Sequence, residues 1–415
     1  MSQITYLKII SGQAPSLLGV PARAVLTLLS WPYAAAVRVR NHLYSTGRLK
    51  AHRAGVPVLC VGNLTTGGTG KTPLVVWLCR YLQERQVRGA ILTRGYKMRK
   101  GTLSDEPALL SAQCSGVAVV VNPDRVAGAA EAVRRHGAQV LVMDDGFQHR
   151  RLARDLDIVA IDATQPSGCS SMGVPPRNSH VFSLSSLWNR VARPNLFERV
   201  FPCDGTRHSE HRPNTCTDPE SRARCPCHGK VLPAGLLREP VTGLRRVHAV
   251  VLTRCDQVSE ETLKHIEDDV RRINPDLVVA RSIHAPVAIK TREGPEIGLD
   301  QLRSRRIFAF CGIGNPESFF HAIEHLGGVL AGAKVCEDHY RYASGDLEQI
   351  YREAAAGEAS LILTTQKDWT KISRLADPRN QPPLAYLAID LQITAGAEEL
   401  TALLDRVLGG IMPIR

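Results

Sequence analysis

The N-terminal part of this chain lacks acidic residues altogether. No Asp or Glu occurs before Glu84, whereas nine Lys and Arg residues do, so three-quarters of the net charge of +12 lies in the first fifth of the chain. Acid-poor N-termini are also typical of organelle transit peptides. Here the acid-free run continues through a glycine-rich loop at 65–72, so at most its early part could be cleaved. A basic arm of this kind favours an anionic membrane surface as a partner.

The apolar segment at 17–37 lacks the uninterrupted length of a membrane-spanning helix. Such a helix needs about 20 apolar residues with few or no charges, and this segment contains Pro21, Arg23 and Pro32. Aromatic residues lie within it and two arginines follow it. An interfacial helix therefore fits best, while a spanning helix and an ordinary buried helix remain alternatives.

The composition excludes a disordered chain and a multi-span membrane protein. Of the 415 residues, 44% are hydrophobic and 22% are charged, which is typical of a soluble or peripheral globular protein. The length predicts two domains. Eleven cysteines without a secretory signal indicate reduced thiols in a cytosolic setting. No nucleic-acid partner is expected.

Short apolar runs alternate with helical patterns along most of the chain. This alternation predicts a mainly parallel sheet covered by helices on both faces. The predicted strands lie near 56–61, 88–93, 117–121, 139–143 and 157–162, and again near 247–253, 277–280, 306–311, 360–365 and 385–389. The fold class is therefore α/β, with two α/β/α sandwich domains of which the first is a P-loop NTPase-like parallel sheet. We place a basic amphipathic segment at 1–45 and the domains at 46–240 and 246–415.

Residues 169–227 interrupt this rhythm. The stretch is rich in Ser, Pro and Arg, and it holds five of the eleven cysteines. A mobile surface insertion is the favoured interpretation, because a structureless loop this long is uncommon inside a compact domain. A zinc site is a weaker alternative, because the spacing matches no paired C-x₂₋₄-C arrangement; its candidate ligands are Cys216, Cys225, Cys227 and His228, with His208 or His211.

The stretch VPVLCVGNLTTGGTGKTP at 56–73 has the pattern of a strand, a phosphate-binding loop and a helix. Backbone N–H groups of such a loop converge on phosphates. Lys71 would reach the β- and γ-phosphates of a nucleoside triphosphate, and the Thr72 hydroxyl would hold Mg²⁺. Thr65 stands where the strict pattern has glycine. The expected nucleotide-binding residues are Thr65, Thr66, Gly67, Gly68, Thr69, Gly70, Lys71 and Thr72.

A second signature, QVLVMDDGFQH, lies at 139–149. It predicts a buried strand that ends in Asp144 and Asp145. In P-loop proteins an Asp at the tip of a neighbouring strand completes the Mg²⁺ shell. Two acids after an apolar run would be costly to bury without a cation. We therefore expect both carboxylates near the phosphate loop.

Together these motifs resemble one enzyme family. The chain contains, in order, VGNLTTGGTGKTP, RGYK at 94–97, SDEP at 104–107, DDGFQHRRLARDLDIVAID at 144–162, LPAGLLREP at 232–240, GIGNPESF at 312–319, EDHYRY at 337–342 and TTQKD at 364–368. This set and order are similar to tetraacyldisaccharide 4′-kinase, the lipid A 4′-kinase. The resemblance covers the chain from about residue 5 to the C-terminus, apart from the 169–227 insertion.

The resemblance implies phosphoryl transfer from ATP to the 4′-hydroxyl of an acylated glucosamine disaccharide 1-phosphate. It implies two α/β domains with the active site in the cleft between them. It also implies attachment, peripheral or monotopic, to the cytoplasmic face of the bacterial inner membrane, in agreement with the basic N-terminal segment.

The resemblance also assigns roles to residues. Asp105 matches the general base, and His339 matches the histidine that pairs with it; domain closure would assemble this pair. Lys71 and Asp145 complete the catalytic set. Arg238 is expected to clamp phosphate. The candidate metal ligands are Thr72, Asp144, Asp145, Glu106 and Glu239. Gln148 and His149 are expected on the substrate side, and Lys367 and Asp368 are a structural or nucleotide-side feature of the second domain.

Two other classes of function stay open at this point. One is a nucleotide-dependent switch or metallochaperone, for which LTRCD at 252–256 only loosely matches a guanine-reading N-K-x-D motif. The other is an inactive, membrane-bound scaffold in which the insertion at 169–227 blocks the acceptor. The insertion could be a tolerated loop, a lid or a disruptive segment included through an incorrect gene model, and we expect the enzyme to remain active with it.

Overall fold

A computed structural model describes residues 3–12, 14–95, 105–166, 227, 229–292, 296–338, 340–373, 375, 382–409 and 411. The chain forms two compact units. The first contains the described residues of Met1–Ser170, Cys225–Ala285 and Asp390–Arg415, and the second those of Pro286–Ile389. The predicted insertion at 169–227 and its candidate zinc ligands lie outside the described residues, except for Cys227, which is buried.

The first unit contains most of the helices and strands. Its strands are β1 (Val58–Gly62), β2 (Gly89–Thr93), β3 (Ala118–Val121), β4 (Val140–Asp144), β5 (Leu156–Asp162) and β6 (Ala249–Thr253). Its helices are α1 (Gln3–Ile10), α2 (Ser16–Ser45), α3 (Lys71–Glu84), α4 (Asp105–Gln113), α5 (Arg125–His136), α6 (Glu260–Ile273) and α10 (Ala397–Leu408). Two long strands, β7 (Val278–Thr291) and β11 (Leu384–Ala395), begin in one unit and end in the other.

The sheet of the first unit is parallel, as predicted. Its strand order is β3-β2-β4-β1-β5-β6-β7. Alternate residues of β1 point to opposite faces: Leu59 and Val61 join a cluster with α3, whereas Val58 and Cys60 join another with α5. Helices therefore cover both faces, which explains why every residue of β1 is buried and why the strand reads as a continuous apolar run.

The compact units do not follow the boundary that the sequence suggests at 240–246. Strand β6 pairs in parallel with β5, with Ile158 opposite Ala249, so it extends the first sheet. Helix α10 returns to the same unit and packs Leu400 and Leu404 into a cluster with Leu74. Periodicity identifies a strand or helix, but it does not identify the neighbour against which that element pairs.

The second unit is also α/β. It contains β8 (Arg306–Cys311), β9 (Val329–Val335), β10 (Leu361–Thr365), α7 (Pro316–His325), α8 (Ser344–Ala356) and α9 (Gln366–Ile372). Its strands are parallel in the order β11-β10-β8-β9. Strand β9 was not predicted. It lies at the end of this order and is only partly buried, so its sequence, VLAGAKV, lacks the strongly apolar run of a central strand.

Helix α2 has one exposed apolar face. Its exposed residues include Leu18, Leu28 and Trp31, at 78%, 63% and 69%, whereas Ala34 and Val37 are buried. Among the described residues, only the segment Leu18–Ser45 is long and apolar enough to cross a membrane. The unequal faces agree with the interfacial interpretation, because a helix at the surface of a bilayer has one apolar side.

Candidate functional site

A glycine-rich loop joins β1 to α3. Gly67 and Gly70 have φ angles of 118° and 81°, which glycine adopts without the strain that a side chain would add. Lys71 is the first residue of α3, so its ammonium group and the unpaired N–H groups of the first turn belong to the same helix end. The structure thus forms the strand, loop and helix that the sequence pattern predicts.

The first half of this loop is bound to the segment that carries Arg238. The Thr66 N–H donates to the carbonyl of Leu236 at 2.8 Å, and the Arg238 N–H donates to the carbonyl of Leu64 at 2.6 Å. Thr65 forms an antiparallel bridge with Leu237. This pairing satisfies backbone groups at the start of the loop and brings Arg238 next to it.

Asp145 joins the loop lysine to Arg238. Its carboxylate lies 3.3 Å from the Lys71 ammonium, and both of its oxygens lie 2.8 Å from one guanidinium nitrogen of Arg238. Asp145 follows β4 directly and has a φ of 49°. Since β4 pairs with β1, with Val61 opposite Asp144, the parallel sheet places the end of β4 beside the start of the phosphate loop.

The two adjacent carboxylates differ in their electrostatic environment. Burial raises the pKa of Asp145, but Lys71 and Arg238 outweigh it and hold the pKa below its ordinary value. Asp144 is buried, and burial, with the negative charges of Glu106 and Asp145, raises its pKa to about 7. Three carboxylates, those of Asp144, Asp145 and Glu106, therefore interact at this end of the sheet. The charge of Asp145 is compensated by Lys71 and Arg238.

Arg125 is a site residue that the sequence analysis missed. It is buried, and its guanidinium donates to the carbonyls of Asp144 at 3.1 Å and Asn122 at 3.2 Å. It thereby braces the end of β4. A signal existed, because Arg125 begins α5 and a cation at a helix N-terminus is unfavourable without another partner.

Glu239 lies in the same unit but has several partners of its own. It is fully buried, and its carboxylate accepts hydrogen bonds from Asn41 at 3.0 Å, Gln148 at 3.2 Å and Arg246 at 2.8 Å. These contacts tie α2, the segment after β4 and the segment after Arg238 to one another. The arrangement favours a structural role for Glu239 over the metal-binding role suggested by the sequence.

We expect Glu239→Ala to lower the free energy of unfolding by about 3 kcal/mol, because Arg246, which is largely buried, would lose its counter-ion. Urea unfolding followed by circular dichroism measures this change. Glu131→Ala is the control: Glu131 pairs with Arg135 on the exposed face of α5, and its loss should cost no more than about 0.5 kcal/mol. Equal, small changes in both variants would contradict the structural role of Glu239.

Gln148 and His149 follow the carboxylates. Besides its contact with Glu239, the Gln148 amide donates to the carbonyl of Asn63 at 2.9 Å, so it supports the start of the phosphate loop. The carbonyl of His149 accepts a hydrogen bond from Arg154 at 3.0 Å. Burial and the positive charge of Arg125 lower the pKa of the His149 imidazole. Their expected place on the substrate side stays a prediction.

Two of the predicted catalytic groups are not placed by the structure. Asp105 is the first residue of α4, but its side chain lies outside the described residues, as does His339. Of the remaining candidates, Thr72 lies in the first turn of α3 and Glu106 in α4. The structure therefore assembles Lys71, Asp144, Asp145 and Arg238. It leaves the predicted pairing of the general base Asp105 with His339 untested.

Lys367 and Asp368 lie in the second unit, at the start of α9. Asp368 is fully buried; it accepts hydrogen bonds from the Gly312 N–H at 2.8 Å and the Thr365 hydroxyl at 2.7 Å. Lys367 pairs with Asp338 at 2.9 Å. These contacts support the structural interpretation of this motif, because they connect α9 to the loops after β8 and β9.

A parallel α/β sheet with a glycine-rich loop before a helix, a lysine at the start of that helix and two carboxylates on the adjacent strand defines a P-loop nucleotide-binding protein. The model of the family Tetraacyldisaccharide-1-P 4'-kinase matches residues 22–172 and 221–409. This chain belongs to that family.

Individual relatives agree with the family match. The chain is 34% identical to the tetraacyldisaccharide 4'-kinase of Anaeromyxobacter sp. (strain K), over 95% of this chain and 93% of the relative. It is 30% identical to that of Chlorobaculum parvum, over 96% of both chains. Among solved structures it resembles LpxK from Aquifex aeolicus in complex with ATP, with a TM-score of 0.59 and 25% identity over 93% of this chain and 99% of that one.

Proposed function

We propose that this protein transfers the γ-phosphoryl group of ATP to the 4′-hydroxyl of an acylated glucosamine disaccharide 1-phosphate. The observation that carries the proposal is the contact of Lys71 and Arg238 with Asp145 beside the phosphate loop, in a chain of this kinase family. Phosphoryl transfer depends mainly on positioning and charge neutralisation. Lys71 and Arg238, which the Asp145 carboxylate holds at the N-terminus of α3, would position the phosphates and neutralise their charge.

The acceptor hydroxyl needs a base, and we assign this role to Asp105. A sugar hydroxyl is a weak nucleophile until its proton is accepted. Asp105 matches the acid that acts as base in the family's motif, and His339 matches the histidine that orients it. Asp105 would take the proton from the 4′-oxygen as the bond to phosphorus forms, and the departing ADP oxygen would carry the charge released by bond breaking.

The residues at the end of β4 fit Mg²⁺. Hard cations prefer oxygen ligands, and Mg²⁺ commonly uses one or two carboxylates together with phosphates and water. Burial and neighbouring negative charges disfavour the ionised form of Asp144, which a divalent cation would reverse. Within the described ranges no group of three His, Cys, Asp or Glu side chains forms a metal site by itself. The Mg²⁺-binding set that we propose, Asp144, Thr72 and Glu106, therefore relies on phosphate oxygens and water for the remaining ligands. When bound, the ion would neutralise phosphate oxygens.

Helix α2 links the proposed site to the proposed membrane surface. On its buried side the Tyr33 hydroxyl donates to the carbonyl of Arg238 at 2.7 Å, and Asn41 donates to Glu239. Its opposite side is apolar and exposed. The helix therefore supports the backbone of the phosphate-clamping arginine while its outer face is available to lipid. This suits an enzyme whose acylated substrate stays in the bilayer, and we place it at the cytoplasmic face of the bacterial inner membrane.

We expect replacement of Leu28, Leu29 and Trp31 together by Ser to weaken binding to phosphatidylglycerol vesicles by at least about tenfold. Each apolar side chain that moves from water into the bilayer contributes up to roughly 1.5–3 kcal/mol. Vesicle sedimentation measures the bound fraction. Val329→Ser is the control, since Val329 is an exposed apolar residue of β9. Equal binding by the triple variant and the unmodified protein would exclude α2 as the membrane contact.

The proposed reaction is tested by transfer of labelled γ-phosphate from ATP to detergent-dispersed tetraacyldisaccharide 1-phosphate. The matched acceptor control is the same lipid without its 4′-hydroxyl, which should receive no label. Label on the first lipid alone would establish both the reaction and its position. ATP binding without transfer would favour the scaffold instead.

A nucleotide-dependent switch is the second candidate, and the structure gives it little support. In the LTRCD segment the Thr253 hydroxyl donates to the carbonyl of Thr69 at 3.1 Å, and Arg254 pairs with Asp162. Both side chains are therefore engaged with the protein itself. Replacing ATP by GTP in the transfer assay separates the two candidates, because a guanine-specific switch would bind GTP and phosphorylate no lipid.

A further inference from the structure

Two polar side chains at strand ends hold the second half of the phosphate loop. The Asn63 amide, just after β1, donates to the Thr69 hydroxyl at 3.0 Å. The Thr253 hydroxyl, at the end of β6, donates to the carbonyl of Thr69. Asn63 and Thr253 are completely buried. Thr69 is therefore held by both its side chain and its backbone, on the side of the loop that faces the sheet.

Gly70, the next residue, lies against His284 of β7. A Cβ atom at position 70 would lie 2.8 Å from Nε2 of His284 and 3.1 Å from Cγ2 of Thr253. The first distance is shorter than real Cβ contacts, so a side chain at position 70 would displace the imidazole ring. Glycine is therefore favoured here for two reasons: the positive φ angle and the close approach of the imidazole ring.

Nε2 of His284 is shielded from solvent and has no hydrogen-bond partner within the part of the chain that the structure describes. Buried polar atoms are normally paired. An unpaired imidazole nitrogen against the phosphate loop lowers the stability of the fold, so stability does not explain why a histidine stands at this position. Burial and the neighbouring Arg254 also hold the pKa of His284 well below its ordinary value. The ring is therefore neutral at neutral pH and adds no charge that would compete with Lys71.

We propose that Thr253 and His284 are positioning residues for ATP, which act through Thr69 and Gly70 and set the shape of the phosphate loop. A loop whose N–H groups already have the binding geometry loses less conformational entropy when phosphates bind. Loss of either support should therefore weaken the affinity for ATP while leaving the affinity for the lipid unchanged. The inference rests on the proposed use of ATP at this loop.

The test measures ATP affinity by calorimetry with Mg²⁺, and steady-state KM for ATP and for the lipid, on the full chain. We expect Thr253→Val, which keeps the shape and removes the hydroxyl, to weaken ATP binding about fivefold, as the loss of one hydrogen bond predicts. Thr253→Ser should restore binding to within about twofold. His284→Ala should weaken it about tenfold, because the loop loses its packing surface. KM for the lipid should stay constant in all of these variants.

Ser282→Ala is the matched control. Ser282 lies two residues before His284 on β7 and is fully buried. Its hydroxyl donates to the carbonyl of Leu252 in β6 at 2.9 Å, whereas the Thr253 hydroxyl donates to the loop itself. It should leave ATP binding unchanged. Unchanged ATP affinity in both Thr253→Val and His284→Ala would overturn the proposal, as would equal loss of ATP and lipid affinity with a lowered melting temperature. Failure of the unmodified protein to bind ATP would instead count against the proposed function.

Discussion

Asp105→Asn should lower kcat for lipid phosphorylation by about 10²–10⁴-fold, the usual contribution of a general base. The variant keeps the size of the side chain and removes its ability to accept the proton of the 4′-hydroxyl. KM for ATP should change little, because Asp105 lies in α4 and not in the phosphate loop. The transfer assay with saturating lipid and ATP measures the effect.

His339→Ala and the double variant complete this test. If His339 acts by orienting Asp105, its loss should lower kcat in the unmodified protein and have little further effect in Asp105→Asn, since residues that act as a unit are not additive. Independent, multiplicative losses would argue against a dyad. Full activity of Asp105→Asn would remove Asp105 from the mechanism while leaving the kinase assignment intact.

Lys71→Met should lower kcat/KM by about 10²–10³-fold, as for removal of one donor that stabilises the developing charge in a transition state. Methionine retains most of the length and the apolar stem of lysine. Stability should change by no more than about 1 kcal/mol, because Asp145 keeps its two contacts with Arg238. Steady-state kinetics and thermal unfolding together separate a functional loss from a structural one.

Lys50→Met is the control for this variant, since Lys50 is an exposed lysine in the same acid-free part of the chain. It should have unchanged kinetics and stability. Lys71→Arg is expected to recover only part of the activity, because a planar guanidinium does not replace a compact ammonium in a tight loop. A fully active Lys71→Met would show that the loop does not bind the transferred phosphate.

The parallel sheet could be predicted because its strands are buried on both faces. Each of β1, β2, β4 and β6 reads as a continuous apolar run, and such runs alternate with helical patterns. β9 could not be predicted in this way, since it is partly buried and rich in small residues. The extent of β7 was also underestimated, because only its first residues form an apolar run.

The phosphate loop and the paired carboxylates could be recognised because their chemistry is local. Glycines at fixed positions, a lysine at a helix start and two acids at a strand end each lie within a few residues of one another. The contact network of Glu239 could not be recognised, because Asn41 and Gln148 lie 198 and 91 residues away along the chain. The same holds for His284 beneath Gly70.

The sequence by itself determined the elements and the chemistry of this protein: a nucleotide loop, an acidic strand end, a basic N-terminus with an apolar face, and motifs that resemble one kinase family. Only the tertiary structure decided which of these groups meet. Parallel pairing of β4 with β1 brought Asp145 to Lys71, and the segment after β5 added Arg238. The returning α10 joined the first unit. Contacts between distant segments depend on packing and strand order, which a local pattern of residues does not specify.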